Sequence, residues 1–157
     1  MNDYLLKCIN TGMPVVFDYD GVLFEARWYK KRINMVNETE EKLIEAHKKG
    51  KNLYTKPIPS VMEFVAGLRN EVFVLSHMHT CIEYQVKCKQ LELYYPKVKQ
   101  NHIYAALCID DKIRYLKDIQ KRYHSFIYID DSYSALIKFE NYFEDTCKFF
   151  HVSSLYV

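Results

Sequence analysis

The chain has 157 residues, 49% of them hydrophobic and 15% aromatic, which suits one globular domain with a substantial core and excludes a disordered chain. Its formal net charge is +2, and the basic residues concentrate only briefly, at "YKKR" (29–32) and "HKKGK" (47–51), so the footprint of a duplex-nucleic-acid binder is missing. No apolar stretch approaches the roughly 20 residues that span a bilayer, the N-terminal segment lacks a signal-peptide layout, and the five cysteines contain no CxxC pair. The expectation is a cytoplasmic chain with reduced thiols and no membrane partner.

The first element in chain order is a buried strand over 15–18, in "PVVFDYDGVLFE", which delivers Asp18 and Asp20 to its end just ahead of the turn residue Gly21. The interval 24–57 shows no strand and reads as a small helical cap inserted into a single domain spanning 1–157. Asn37 with Glu40 starts a helix there, and Gly50 is a stop signal. Ser60 with Glu63 matches a capping box, as does Thr80 with Glu83, and Pro96 stops the second of these helices. Strands follow over 72–75, 103–107, 126–129 and 149–152. Between them, Ile113, Leu116 and Ile119 form an apolar helical stripe, and Ser132 caps a last helix.

Strands alternating with helices predict an α/β fold, a Rossmann-like and mostly parallel sheet flanked by helices, because parallel neighbours require crossover connections. Ligands in such sheets sit at the carboxyl ends of the strands. Those ends carry Asp18 and Asp20, then Ser76, then Lys112 after a short loop, then Asp130 and Asp131. Several carboxylates in a partly desolvated site need a cation to offset their repulsion. A hard, oxygen-preferring ion such as Mg2+ fits, and Mg2+ in turn suits a phosphorylated substrate.

"VVFDYDGVL" resembles the first motif of the haloacid dehalogenase (HAD) superfamily, "VFVLS" its second, Lys112 its third and "IYIDD" its fourth, in that family's order. The resemblance implies that Asp18 attacks phosphorus and forms an aspartyl phosphate, and that Asp20 protonates the leaving oxygen and later activates water. It implies that Ser76 donates to the transferring phosphoryl group and that Lys112 offsets charge on that group and on Asp18. Mg2+ would be held by Asp18, the backbone carbonyl of Asp20, and Asp130 or Asp131. An aspartate at position 20 is similar to the pattern of the superfamily's phosphatases and mutases, so the expected activity is phosphomonoester hydrolysis.

Three features bear on the substrate. Trp28 and Tyr29, beside Lys30, Lys31 and Arg32, would suit a nucleoside monophosphate by stacking and charge attraction, although an amphipathic helix with a solvated basic face explains them equally. His77, next to Ser76, is expected to line the phosphate pocket. The layout from "SHMHTCIEYQ" to "FIYIDDS" looks similar to the cytosolic 5'(3')-deoxyribonucleotidases and their bacterial and phage relatives. A sugar phosphate or other small metabolite is the alternative substrate. A non-catalytic binding module is disfavoured by the presence of both aspartates, and a zinc site at His77, His79 and Cys81 by the role of Thr80 as a helix cap.

Overall fold

Val15, Val16 and Phe17 sit at the centre of a five-stranded, all-parallel sheet in the computed structural model, which describes residues 1–25, 55–143 and 145–156. The elements in chain order are α1 (Asp3–Asn10), β1 (Val15–Phe17), α2 (Pro59–Gly67), β2 (Val72–His77) and α3 (Cys81–Tyr94). They continue with β3 (Ile103–Ala106), α4 (Ile109–Tyr123), β4 (Ile127–Asp130), α5 (Tyr133–Glu140) and β5 (Lys148–His151). Trp28, Lys30 and the helix expected to begin near Asn37 lie outside the described residues, as does most of the 24–57 insertion. None of the described helices is long and apolar enough to cross a membrane.

The strand order is β3-β2-β1-β4-β5. The chain first builds outward from β1 through β2 to β3, then returns to place β4 on the other side of β1. Adjacent crossovers therefore diverge between β1 and β4, which opens a crevice at their carboxyl ends. Val16 pairs with Phe73 of β2 and Tyr128 of β4, so the three central strands begin level, while β2 runs on past the end of β1 to His77.

Side chains alternate across the sheet, and each face has its own helices. Val15, Phe17, Val72, Val74, Ile127 and Ile129 join Leu5 of α1, Val61 and Val65 of α2 and Leu91 of α3 in one buried cluster. Val16, Phe73, Leu75 and Tyr128 join Ile113, Leu116 and Ile119 of α4 and Leu136 and Phe139 of α5 in the other. Both faces of β1 are thus covered, which accounts for its unbroken apolar run.

Local signals explain most helix boundaries. Thr80 caps α3 by accepting a hydrogen bond from the Glu83 amide at 3.1 Å, while the Glu83 carboxylate returns to the His79 amide at 2.9 Å. Ser132 caps α5 through the Ala135 amide. The expected box of Ser60 and Glu63 does not form: Ile58 occupies the cap position without a side-chain bond, and Pro59 opens α2. Proline's fixed φ and missing N–H suit the first helical position, so the helix begins before Ser60. Helix α1 was not expected from the sequence. Asn2 caps it through the amides of Tyr4 and Leu5, and Leu5, Cys8 and Ile9 bury its inner stripe.

Candidate active site

Strand parity decides which helix each polar side chain at the sheet edge meets. Asp18 follows Phe17 and points toward the face of Val16, where α4 lies. Lys112, in the second turn of α4, donates to Asp18 Oδ1 at 2.9 Å. Tyr128 and Asp130 share that parity on β4, and Lys112 also reaches the Tyr128 hydroxyl at 3.1 Å and Asp130 Oδ2 at 3.4 Å. All three ammonium donors of Lys112 are committed. Two other lysines close by in the sequence are engaged elsewhere: Lys99 pairs with Glu71 at the surface, and Lys117 lies over the Tyr142 ring.

Asp130 is anchored further by the Tyr128 hydroxyl, which donates to Oδ2 at 2.6 Å, and by the Ser132 amide, which donates to Oδ1 at 2.8 Å. Burial, then the Asp130 charge, raises the Tyr128 hydroxyl well above its ordinary range, so it stays protonated as a donor. Burial pushes the Asp18 carboxyl up to about 7 despite the opposing pull of Lys112, and the charges of Asp130 and Asp20 add to the rise. Lys112 is held above its ordinary value: burial opposes the charge, but Asp18 and Asp130 together outweigh it. This is a site with more negative charge than its own lysine offsets.

Asp18, Asp130 and Asp131 each offer a carboxylate oxygen, and those oxygens lie within 4.8 Å of one another. Three hard oxygen donors carrying excess negative charge fit Mg2+. Asp130 is buried and Asp131 exposed, and both belong to the trio. The turn after β1 makes room for it. Gly21 adopts φ +80°, and a Cβ there would come within 2.2 Å of Asp131 Oδ2. Only a residue without a side chain lets the loop approach Asp131 this closely.

Asp20 takes a different partner. Lys87 of α3 donates to Asp20 Oδ2 at 2.6 Å, to Ser76 Oγ at 2.8 Å and to the His77 carbonyl at 2.9 Å, and lies 3.3 Å from the Glu83 carboxylate. The sequence reading missed Lys87 because lysine, glutamate and glutamine normally mark a solvated face. Glu83, Lys87 and Gln90 are instead buried at helical spacing on α3. Gln90 accepts from the Tyr19 hydroxyl and donates to the Thr55 carbonyl, which ties α3 to both ends of the described chain around the insertion. The available signal was slight: Glu83, Lys87 and Gln90 repeat one residue ahead of the apolar stripe of Tyr84, Cys88 and Leu91 that packs on the core.

A cleft of about 560 Å³ opens at this edge, lined by Asp18, Asp20, Lys112, Asp130 and Asp131 together with His77 and His79. Partial burial, then repulsion from Lys112, lowers the His77 imidazole below its ordinary value, so it is neutral at pH 7. Ser76 does not line the cleft. It is fully buried beneath Lys87, and the last residue of β2 and the loop after it present His77 and His79 in its place. Cys81 begins α3 and is exposed, and the metal-competent cluster among the described residues is the aspartate trio rather than His77, His79 and Cys81.

No family model matches the chain, and no curated protein matches it by sequence. Among solved structures it is similar to DsGPDH of Dunaliella salina, with a TM-score of 0.57 and 18% identity, over 94% of this chain and 25% of that one. The chain thus spans about a quarter of that protein's length, and the likeness concerns the fold. It is also similar, with a TM-score of 0.49 and 14% identity, to the HAD domain of the effector protein Lem4 from Legionella pneumophila, over 88% of this chain and 85% of that one. What stands established is the architecture: an α/β, Rossmann-like chain with a five-stranded parallel sheet between two helical layers.

Proposed function

We propose that the chain is a Mg2+-dependent phosphomonoester hydrolase of the HAD type. The observation that carries this reading is the pair of aspartates after β1, each held by its own buried lysine beside a three-carboxylate cluster at the switch point of the sheet. Asp18, Asp130 and Asp131 would hold the cation, which when bound supplies the positive charge that the trio and a phosphoryl group both need.

Asp18 is the nucleophile. Its carboxylate oxygen forms a bond to phosphorus as the bond to the leaving oxygen breaks, and Asp20 passes its proton to that oxygen. Asp20 then takes a proton from water, whose oxygen attacks phosphorus. The bond between phosphorus and Asp18 breaks, releasing phosphate and restoring both carboxyls. Lys112, 2.9 Å from Asp18, keeps the nucleophile oriented and offsets charge on the transferring group. His77 lines the same cleft and would border the phosphoryl group there. Ser76, buried beneath Lys87, supports that lysine.

Nucleoside and deoxynucleoside monophosphates are the first substrate class proposed, on the strength of Trp28 and Lys30 in the insertion. The test is phosphate release from 5'- and 3'-monophosphates of nucleosides and deoxynucleosides, sugar phosphates and p-nitrophenyl phosphate, with Mg2+ and with EDTA. Release that requires Mg2+ and disappears in Asp18→Asn supports the hydrolase. A preference for sugar phosphates would keep the chemistry and replace the substrate class. Turnover that survives complete chelation, or persists in Asp18→Asn, would overturn the mechanism.

A further inference from the structure

The geometry points to Lys87 as the positioning residue for the acid-base group, a role that rests on the phosphoryl-transfer reading above. Lys87 is fully buried and is not among the described residues that line the cleft. Its ammonium has three N–H donors, and Asp20 Oδ2, Ser76 Oγ and the His77 carbonyl take all of them at 2.6 to 2.9 Å. A lysine so saturated does not bind a phosphoryl oxygen. It acts through the groups that it holds.

The central one is Asp20. Lys87 ties down one carboxylate oxygen, while the other, Oδ1, is buried without a hydrogen-bond partner among the described residues. A carboxylate gripped at one oxygen by a buried ammonium is held in one orientation beside the cleft it lines, which is what a proton donor to a leaving oxygen requires. The lysine is itself held from three sides: Glu83 one turn earlier on α3, Ser76 at the end of β2, and the Tyr19 ring, whose centroid is 4.7 Å from the ammonium. Tyr19 lies between Asp18 and Asp20, so the ring and the ammonium together set the course of the chain from nucleophile to acid-base group. Ser76 is thereby explained as a buried acceptor for Lys87, although its place at the strand end had suggested contact with substrate.

A role confined to Asp20 predicts a specific kinetic pattern. Protonation of the leaving oxygen matters for an alkyl phosphate, whose alkoxide leaves poorly, and hardly at all for p-nitrophenyl phosphate, whose phenolate leaves unaided. In Lys87→Met, kcat for an alkyl monoester is expected to fall about a hundred-fold or more. The pre-steady-state burst of p-nitrophenol, which reports attack by Asp18, is expected to stay within about threefold of wild type. Adding Lys87→Met to Asp20→Asn is expected to cause little further loss, because the lysine then has nothing left to position.

Removing Lys87 also takes away the ammonium 3.3 Å from the buried Glu83 carboxylate, so Glu83→Gln/Lys87→Met is the companion variant. It keeps the acceptor for the His79 amide while deleting both charges, and its melting curve and burst show whether the fold and the nucleophile survive. Equal losses on alkyl and aryl substrates, a loss that multiplies with that of Asp20→Asn, or no loss at all would overturn the role of Lys87 while leaving the hydrolase standing. A wild-type chain without Mg2+-dependent turnover of either substrate would overturn the hydrolase and this role together.

Discussion

Asp18 and Asp20 stand two residues apart in the chain yet are gripped from opposite faces of the sheet, Asp18 by Lys112 of α4 at 2.9 Å and Asp20 by Lys87 of α3 at 2.6 Å. Strand alternation directs Asp18 to the α4 side, and the turn that follows brings Asp20 to the α3 side. Two like charges separated in this way, each with its own counter-ion, are free to do different chemistry.

Asp18→Asn is expected to reduce phosphate release below about one-thousandth of wild type, because an amide does not form the acyl phosphate. The same change deletes a buried charge next to Asp130, so the variant is expected to melt at or above the wild-type temperature in EDTA at pH 8. Paired activity assays and thermal melts check both halves.

The raised carboxyl of Asp18 fixes the sign of a pH effect in the metal-free protein. Between 3.8, its ordinary value, and about 7 the folded chain retains a proton that the unfolded chain releases. The resulting stabilisation is full below that window and is lost as pH rises through 7, at no more than about 1.4 kcal/mol per pH unit for one proton. Urea melts in EDTA at several pH values are expected to show this decline in wild type and a shallower one in Asp18→Asn. Mg2+ competes with the same proton, so it is expected to raise the melting temperature more at pH 8 than at pH 5.5.

Lys112→Met strands Asp18 and Asp130 in a buried setting without their cation. The expected loss is about 3–5 kcal/mol in EDTA, as for removal of one partner from a buried ion pair. Saturating Mg2+ is expected to recover part of it, because the ion binds the same carboxylates. Urea melts with and without Mg2+ measure both quantities, and a loss under about 1 kcal/mol would contradict the assigned charge balance.

Gly21→Ala tests the turn rather than the chemistry. The added Cβ meets Asp131 Oδ2 at 2.2 Å, and φ +80° is strained for alanine. Mg2+ affinity by titration calorimetry is expected to drop about tenfold or more as Asp131 is displaced, with a stability loss of about 1–2 kcal/mol. Unchanged Mg2+ affinity would remove Asp131 from the metal set.

Much of this was legible without coordinates. The apolar runs at 15–18, 72–75 and 126–129 mark strands because burial on both faces leaves no polar position, and the intervening caps and stripes mark the helices. That logic led to a parallel sheet with Asp18, Asp20, Ser76, Asp130 and Asp131 at one edge and Lys112 after a short loop from the third strand. Ser60 misled because the proline before it is the stronger start signal. Helix α1 escaped notice because its apolar stripe is only Leu5, Cys8 and Ile9.

Local sequence determined the alternation of elements and the residue types at the strand ends, since periodicity, caps and turns act over a few residues. Only the tertiary structure decided which lysine meets which aspartate, that Ser76 lies beneath Lys87, and that Glu83, Lys87 and Gln90 are buried. The reason is that these polar side chains resemble a solvated face until a strand end, 67 and 71 residues away in the cases of Asp20 and Tyr19, supplies the partners that make their burial favourable.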